Sequence, residues 1–263
     1  MLLDDGLATT IFAEPFRLGW VETESDVRLV RHLSATQVGS EEIALVPGPE
    51  FSLLVDSHMV CPDIAVVSSA YAAVSMRSPG RPDSFEEAVV SLFDTSATGE
   101  LLARALIWPY FGIRVSGWTD GPDAAAQISI IEGPEAIVDP EAGYAEDLGH
   151  AWFVMTGMPV VSHVLVAPRR CDSETLQRAI EAFRASQRVA HERRRELRLI
   201  LDERLGVPRE RFVSYFAQQQ YHLCEADKRA FAALMVKGAG GSRYLPISRI
   251  AFSDDLPVTE QES

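Results

Sequence analysis

The sequence predicts an α/β protein of two lobes with a ligand cleft between them. Three observations lead there. Short apolar, β-branched runs alternate with helical patterns through the first two thirds of the chain, as in a largely parallel sheet crossed by helices. The last third carries helical spacing only. A Pro/Gly/Ser-rich stretch at 78–84 and the segment 168–173 bracket a strand-helix-strand-helix-strand set of its own. Residues 85–167 are therefore expected as an inserted second lobe, with 1–84 and 168–263 forming the first.

The strands are expected at 43–46, 64–67, 88–93, 126–131 and 160–166, runs apolar enough to be covered on both faces. A helix over 99–108 is entered through the hydroxyl-rich turn at 94–98. A second helix over 145–156 is closed by Gly157 and Pro159. From 172 to 205, Leu176, Ala179, Ile180, Phe183, Ala190, Leu197, Ile200 and Leu201 recur at helical spacing, which gives one or two helices. Asp172 and Ser173 offer N-caps there, and Gly206 a stop. Helices over 208–217 and 225–237 follow. Trp108 and Trp152 sit on apolar helix faces and read as core. Val189, Leu199 and Leu201 widen the apolar face of the long helical stretch and suggest a dimer contact, so the chain is expected as a monomer or homodimer.

Composition excludes several classes of function. The chain has 263 residues and a formal charge of −14 from 38 acidic and 24 basic residues, so it lacks an overall field that would draw nucleic acid or an anionic membrane. Its three cysteines, Cys61, Cys171 and Cys224, show neither paired nor zinc-type spacing. No apolar run reaches the ~18 residues of a membrane span, and the N-terminus is acidic where a signal peptide is basic. A cytoplasmic location is expected. Zinc-protease, calcium-loop, dinucleotide, P-loop and nucleophile-elbow motifs are all missing, and neither a metal nor an organic cofactor is expected.

Two hydroxyl clusters remain. Thr95, Ser96 and Thr98, with Gly99 and the free N–H groups of a helix start, would make a small anion pocket suited to a carboxylate. Ordinary helix capping explains the same residues. Ser68, Ser69 and Ser75 follow a strand whose C-terminal end would face the cleft.

The segment Glu146 to Val166 adds a more specific signal. Asp147, Leu148, Gly149, Trp152, Thr156, Gly157, Pro159 and Val161 match a stretch that resembles the chorismate dehydratases of the futalosine route to menaquinone. Further matches run in the same order: Glu-Glu-Ile-Ala-Leu-Val-Pro-Gly-Pro-Glu-Phe from Glu41, Pro-Asp-Ile-Ala-Val-Val-Ser-Ser from Pro62, Asp-Thr-Ser-Ala-Thr-Gly-Glu from Asp94, and Ile-Ile-Glu-Gly-Pro-Glu-Ala-Ile from Ile130. The resemblance covers about residues 10 to 240. It implies the two-lobed type II periplasmic-binding-protein architecture, and a hydro-lyase that turns chorismate into 3-[(1-carboxyvinyl)oxy]benzoate.

By that resemblance, Phe12 stands where the family places a cleft-facing Asn, Tyr71 replaces a central Gly, and Pro134 replaces an Asp. Ser68 and Ser75 keep the flanking serines. The implied ligand-binding set is Ser68, Ser69, Ser75, Thr95, Ser96, Thr98, Gly99, Gly133, Glu50, Phe12 and Tyr71, around a small carboxylated ligand. His163, within the strand at 160–166, is the candidate base, and Glu50 its carboxylate alternative. Arg77 and Arg114 are possible carboxylate clamps. The changed positions keep a second reading open, a non-catalytic binding protein or sensor on the same scaffold. A third is a dihydroxynaphthoate synthase-like enzyme.

Overall fold

The computed structural model describes residues 1–121, 125–138, 140 and 142–255. In chain order the first elements are β1 (Leu2–Asp4), α1 (Thr10–Arg17), β2 (Arg28–Val30), β3 (Ala44–Pro47) and β4 (His58–Ser68). Next come β5 (Val74–Ser78), β6 (Glu87–Ser91), α2 (Ala97–Leu106), β7 (Arg114–Thr119), β8 (Ile128–Glu132) and β9 (Tyr144–Asp147). The chain continues through α3 (Leu148–Thr156), β10 (Val160–Pro168), α4 (Ser173–Glu192), α5 (Arg194–Leu205), α6 (Arg209–Phe216), β11 (Gln219–Gln220) and α7 (Glu225–Gly238).

The strands form two sheets, in the orders β11-β4-β10-β3-β1-β2 and β7-β6-β8-β5-β9. Both are mixed, whereas the sequence suggested largely parallel strands. In the first sheet β1 runs parallel to β2 and β3, but β10 is antiparallel to β3 and β4. In the second, β6 is parallel to β7 and β8, and β5 is antiparallel to β8 and β9. A continuous apolar run reports burial on both faces and carries no information on strand direction.

The chain changes sheet between β4 and β5 and again between β9 and β10. The expected crossings near 84 and 168 lie one strand too late at each end. β5 belongs to the second sheet, and β10, buried throughout, returns to the first. The short polar-edged strands β1, β2, β7, β9 and β11 were not legible as periodic runs.

Helix ends follow local chemistry. Asp172 accepts the Thr175 N–H to start α4, and Gly206 closes α5 at φ +63°. A break at Arg193 separates α4 from α5. The segment 145–147, expected as helix, is β9; its last residue, Asp147, caps α3 by accepting the His150 N–H at 3.0 Å.

Two apolar clusters fill the space around the sheets. Trp152 lies in the first, wholly buried, with its indole N–H donating to the Pro159 carbonyl at 3.2 Å. Trp108 was expected in the core and is 58% exposed, because α2 ends at Leu106, before it. The second cluster joins α1 to α4, α5 and α6.

Candidate active site

Where the strand ends of the two sheets meet, a cavity of about 60 Å³ is walled by Asp4, His32, Glu132, Gly133, His163 and Tyr215, among others. Asp4 ends β1 and is buried. The Leu33 N–H donates to its Oδ1 at 2.6 Å, and Nε2 of His163 stands 3.0 Å from its Oδ2.

His163 reaches the cavity through an irregularity in β10. Val161 pairs with Val67 and His163 with Val66, so Ser162 is an extra residue in the ladder. Its polar groups are satisfied locally. The Ser162 hydroxyl lies 3.2 Å from the Val66 carbonyl and 3.1 Å from Nδ1 of His163, and its carbonyl accepts the Thr98 hydroxyl at 2.7 Å. With hydrogen on Nε2, His163 donates to Asp4, and the one Ser162 hydroxyl proton serves either Nδ1 or the Val66 carbonyl. Both ring nitrogens thus lie within hydrogen-bond distance of protein partners.

Glu132, at the end of β8, forms the opposite wall. The Ser96 N–H and hydroxyl donate to its two carboxyl oxygens at 2.7 and 2.8 Å. Protein packed around the carboxyl raises its pKa above the usual 4.5; the Ser96 hydrogen bonds and the nearby His163 and His32 oppose that shift without cancelling it. Gly99 permits the approach, since a Cβ there would lie 2.9 Å from the Glu132 carboxyl and 2.5 Å from the Thr95 methyl.

The hydroxyl-rich turn is therefore wired inward, which corrects the expectation of a ligand anion pocket. Ser96 caps α2 through the Gly99 N–H and also binds Glu132; Thr95 donates to the Ile130 carbonyl at 3.1 Å, and Thr98 to Ser162. The carboxylate this turn holds is the protein's own. Sequence spacing shows a helix start rich in donors, but not which carboxylate the tertiary fold delivers to it.

Glu50, Thr95 and Ser96 share the wall of a neighbouring cavity of about 520 Å³, and the remaining expected residues scatter. The Ser68 and Ser69 hydroxyls tie β4 to the chain at β11, donating to Gln219 Oε1 at 2.6 Å and to the Gln218 carbonyl at 3.2 Å. Buried Ser75 lines a separate cavity of about 440 Å³ together with Tyr71, whose ring stacks on His150. Glu50 is buried and fully used: it accepts from the Ala35 N–H at 2.8 Å, Arg243 at 2.7 Å and the Tyr244 hydroxyl at 3.0 Å. Phe12 faces away from the cleft, packed edge-on against Phe183 and Tyr221 in the core, because α1 turns its apolar side to α4. Arg77 donates to backbone carbonyls, including Val138 at 2.8 Å. Gly133, at φ +87°, and His163 are the expected residues that line the inner cavity.

Sequence reasoning missed Asp4, His32, Glu132 and Tyr215. Glu132 sits inside the quoted Ile-Ile-Glu-Gly run, where an acid ends an apolar strand; that was the available signal. The Tyr215 hydroxyl is buried without a partner among the described residues, and burial drives its pKa well up. His32 reaches across the cleft to Asp94, with Nε2 2.8 Å from Oδ1, and Arg31 pairs with the same carboxylate. His32 and Asp94 both hold positive φ, at 49° and 57°, so an uncommon backbone conformation on each side supports the contact. Among the described residues, no group of three or more His, Cys, Asp or Glu side chains could hold a metal ion. No described helix is long and apolar enough to cross a membrane.

A family model described as menaquinone biosynthesis matches residues 35–239. No match is found among the curated proteins. Among solved structures, a protein of Archaeoglobus fulgidus is similar at a TM-score of 0.69 and 15% identity, over 91% of this chain and 96% of that one. The periplasmic aliphatic sulphonate binding protein of Escherichia coli gives 0.59 and 14%, over 90% and 84%. A Candida albicans protein described as having the generic periplasmic binding protein fold gives 0.53 and 11%, over 84% and 80%. At these identities the likeness carries the fold alone, which is that of the periplasmic binding proteins.

Proposed function

The chain belongs to the menaquinone biosynthesis family, and from that premise we propose that it dehydrates chorismate to 3-[(1-carboxyvinyl)oxy]benzoate. The observation that carries the reading is a pair of carboxyl groups, Asp4 and Glu132, that line one cavity with different hydrogen-bond partners. Asp4 lines the cavity and accepts N–H donors from Leu33 and His163, which orient its carboxyl, whereas the environment of Glu132 favours its protonated form.

The reaction removes one ring proton and one hydroxyl. Asp4 takes the proton; the C–H electrons become a ring double bond; the C–O bond breaks, and Glu132 protonates the departing hydroxyl to give water. Aromatisation supplies driving force, so modest acid–base help suffices. His163 acts here as a positioning residue that fixes the Asp4 carboxylate.

A cavity of about 60 Å³ holds a few waters and is too small for a ten-carbon dicarboxylate. Entry therefore requires the lobes to part, with cavities of about 440 and 520 Å³ flanking the inner one. Closure then excludes water from the reacting centre. Lobe 2 is read as the unit bearing β5 to β9, carried on the two crossings.

A second reading, a non-catalytic binder of a small carboxylate, is favoured by one observation: the hydroxyls of Ser68, Thr95, Ser96 and Thr98 are all spent on protein partners. Incubation of the metal-free protein with chorismate, followed by chromatography and mass analysis, separates the two. Protein-dependent product that disappears in Asp4→Asn supports the dehydratase. A thermal shift without product supports the binder, and neither response overturns both for chorismate.

A further inference from the structure

Residues of α1, the end of α4, α5 and α6 line a second cavity, of about 400 Å³. Its walls are apolar: Ile11, Leu197, Leu201 and Phe212 are buried core residues, with Phe216 beside them. Three features set it apart from a packing defect. Tyr221 lines it, is 8% exposed, and its hydroxyl is buried with no hydrogen-bond partner. Arg194 and Arg198 also line it, and no carboxylate does.

Neither guanidinium has an ion-pair partner among the described residues. Arg198 donates through Nε to the Arg194 carbonyl, while neighbouring Arg193 is taken by Glu196 and by the face of Trp20. Two guanidinium groups beside an apolar cavity with no carboxylate in its lining suit an anionic head group. His191 completes the polar rim, its Nδ1 held 2.8 Å from the Gln187 carbonyl.

We propose that this cavity is a binding site for an amphipathic carboxylate, whose apolar body fills the space between α5 and α6 and whose head group pairs with Arg194 and Arg198. The volume falls within the ~300–1,000 Å³ of small-molecule sites and suits a single acyl or aryl chain. The site is separate from the cleft, since the two cavities share no lining residue.

The test uses dodecanoate below its micelle concentration, titrated calorimetrically into the full-length protein, with dodecyltrimethylammonium as the charge-reversed probe. Saturable one-to-one binding of dodecanoate, at least tenfold weaker in Arg194→Gln/Arg198→Gln and absent for the cationic probe, supports the site. Arg194 is exposed and Arg198 half-buried, and an unchanged melting temperature shows that the variant is folded. Leu201→Trp, which fills the cavity, is expected to abolish binding; Leu201→Met is the volume-conserving control and retains it. Three outcomes overturn the proposal: no dodecanoate binding, equal binding of both probes, or equal affinity in the arginine variant. Sedimentation that shows a dimer closed over this face, or co-sedimentation with phosphatidylglycerol vesicles lost in the same variant, assigns the surface to a different occupant and also overturns it.

Discussion

Nε2 of His163 lies 3.0 Å from Oδ2 of Asp4, although the two residues are 159 positions apart and each is almost wholly removed from solvent. β10 returns from the second lobe and β1 opens the chain, and both enter the first sheet on either side of β3. The pair therefore exists only once β10 has returned to the first sheet. Both side chains line the inner cavity between the strand ends of the two sheets.

Asp4→Asn is expected to lower turnover of chorismate by about 10²–10⁴-fold, the range of a lost general base. His163→Gln should lower it less and shift the pH–rate profile, because it disturbs the carboxylate's orientation and leaves the acceptor in place. A double-mutant cycle on denaturant stability should give a coupling of about 1–3 kcal/mol for this buried hydrogen bond. Additive effects would separate the two residues.

The raised pKa of Glu132 makes a signed statement about stability. Above about pH 4.5 the unfolded carboxyl is ionised while the folded one keeps its proton, so stability falls as pH rises through the folded pKa and is level beyond it. Glu132→Gln removes this dependence. Melting curves of the wild type should lose ground to the variant as pH rises above about 4.5, where the unfolded carboxyl has lost its proton. Parallel curves across that window would show that Glu132 titrates normally. Activity should fall in the same variant, with the alkaline limb of the rate profile altered.

Asp147 links the start of α3 to the turn after β4. Besides capping His150, it accepts the Ala72 and Ala73 N–H groups at 3.1 Å each, and Ala73 is held at φ 53°. A Cβ on Gly149 would lie 2.6 Å from the Ala72 nitrogen, so the Asp-Leu-Gly motif is explained by this close approach. Asp147→Ala strands three donors and should cost about 2–4 kcal/mol by chemical denaturation. A loss below 0.5 kcal/mol, the ordinary range for a surface change, would mean the turn is held by other contacts.

Cys61 sits in β4 at 0% exposure, and burial pushes its thiol up to about 12. Native alkylation should leave it unmodified while exposed Cys224 reacts, as read by peptide mass analysis. Cys61 labelling at the rate of Cys224 would require the first sheet to open locally. In denaturant all three should react.

The sequence by itself determined what short-range chemistry encodes. The apolar runs placed β3, β4, β6, β8 and β10, the helical spacing placed α4 and α5, and Asp172 and Gly206 fixed their outer ends. Motif order identified the family. Tertiary structure alone decided strand direction, which an apolar run does not record, and the point at which the chain changes sheets. It also decided the site. Three-residue β1 is too short to show a period, yet pairing with β2 and β3 sets Asp4 opposite His163. Ser96 offers the same donors to any carboxylate, and only the parallel pairing of β6 with β8 brings Glu132 to them. Phe12, aligned by motif with a cleft residue, turns into the core because α1 must bury its apolar face against α4. Hydrogen-bond capacity is written in residue type; its partner is chosen by topology.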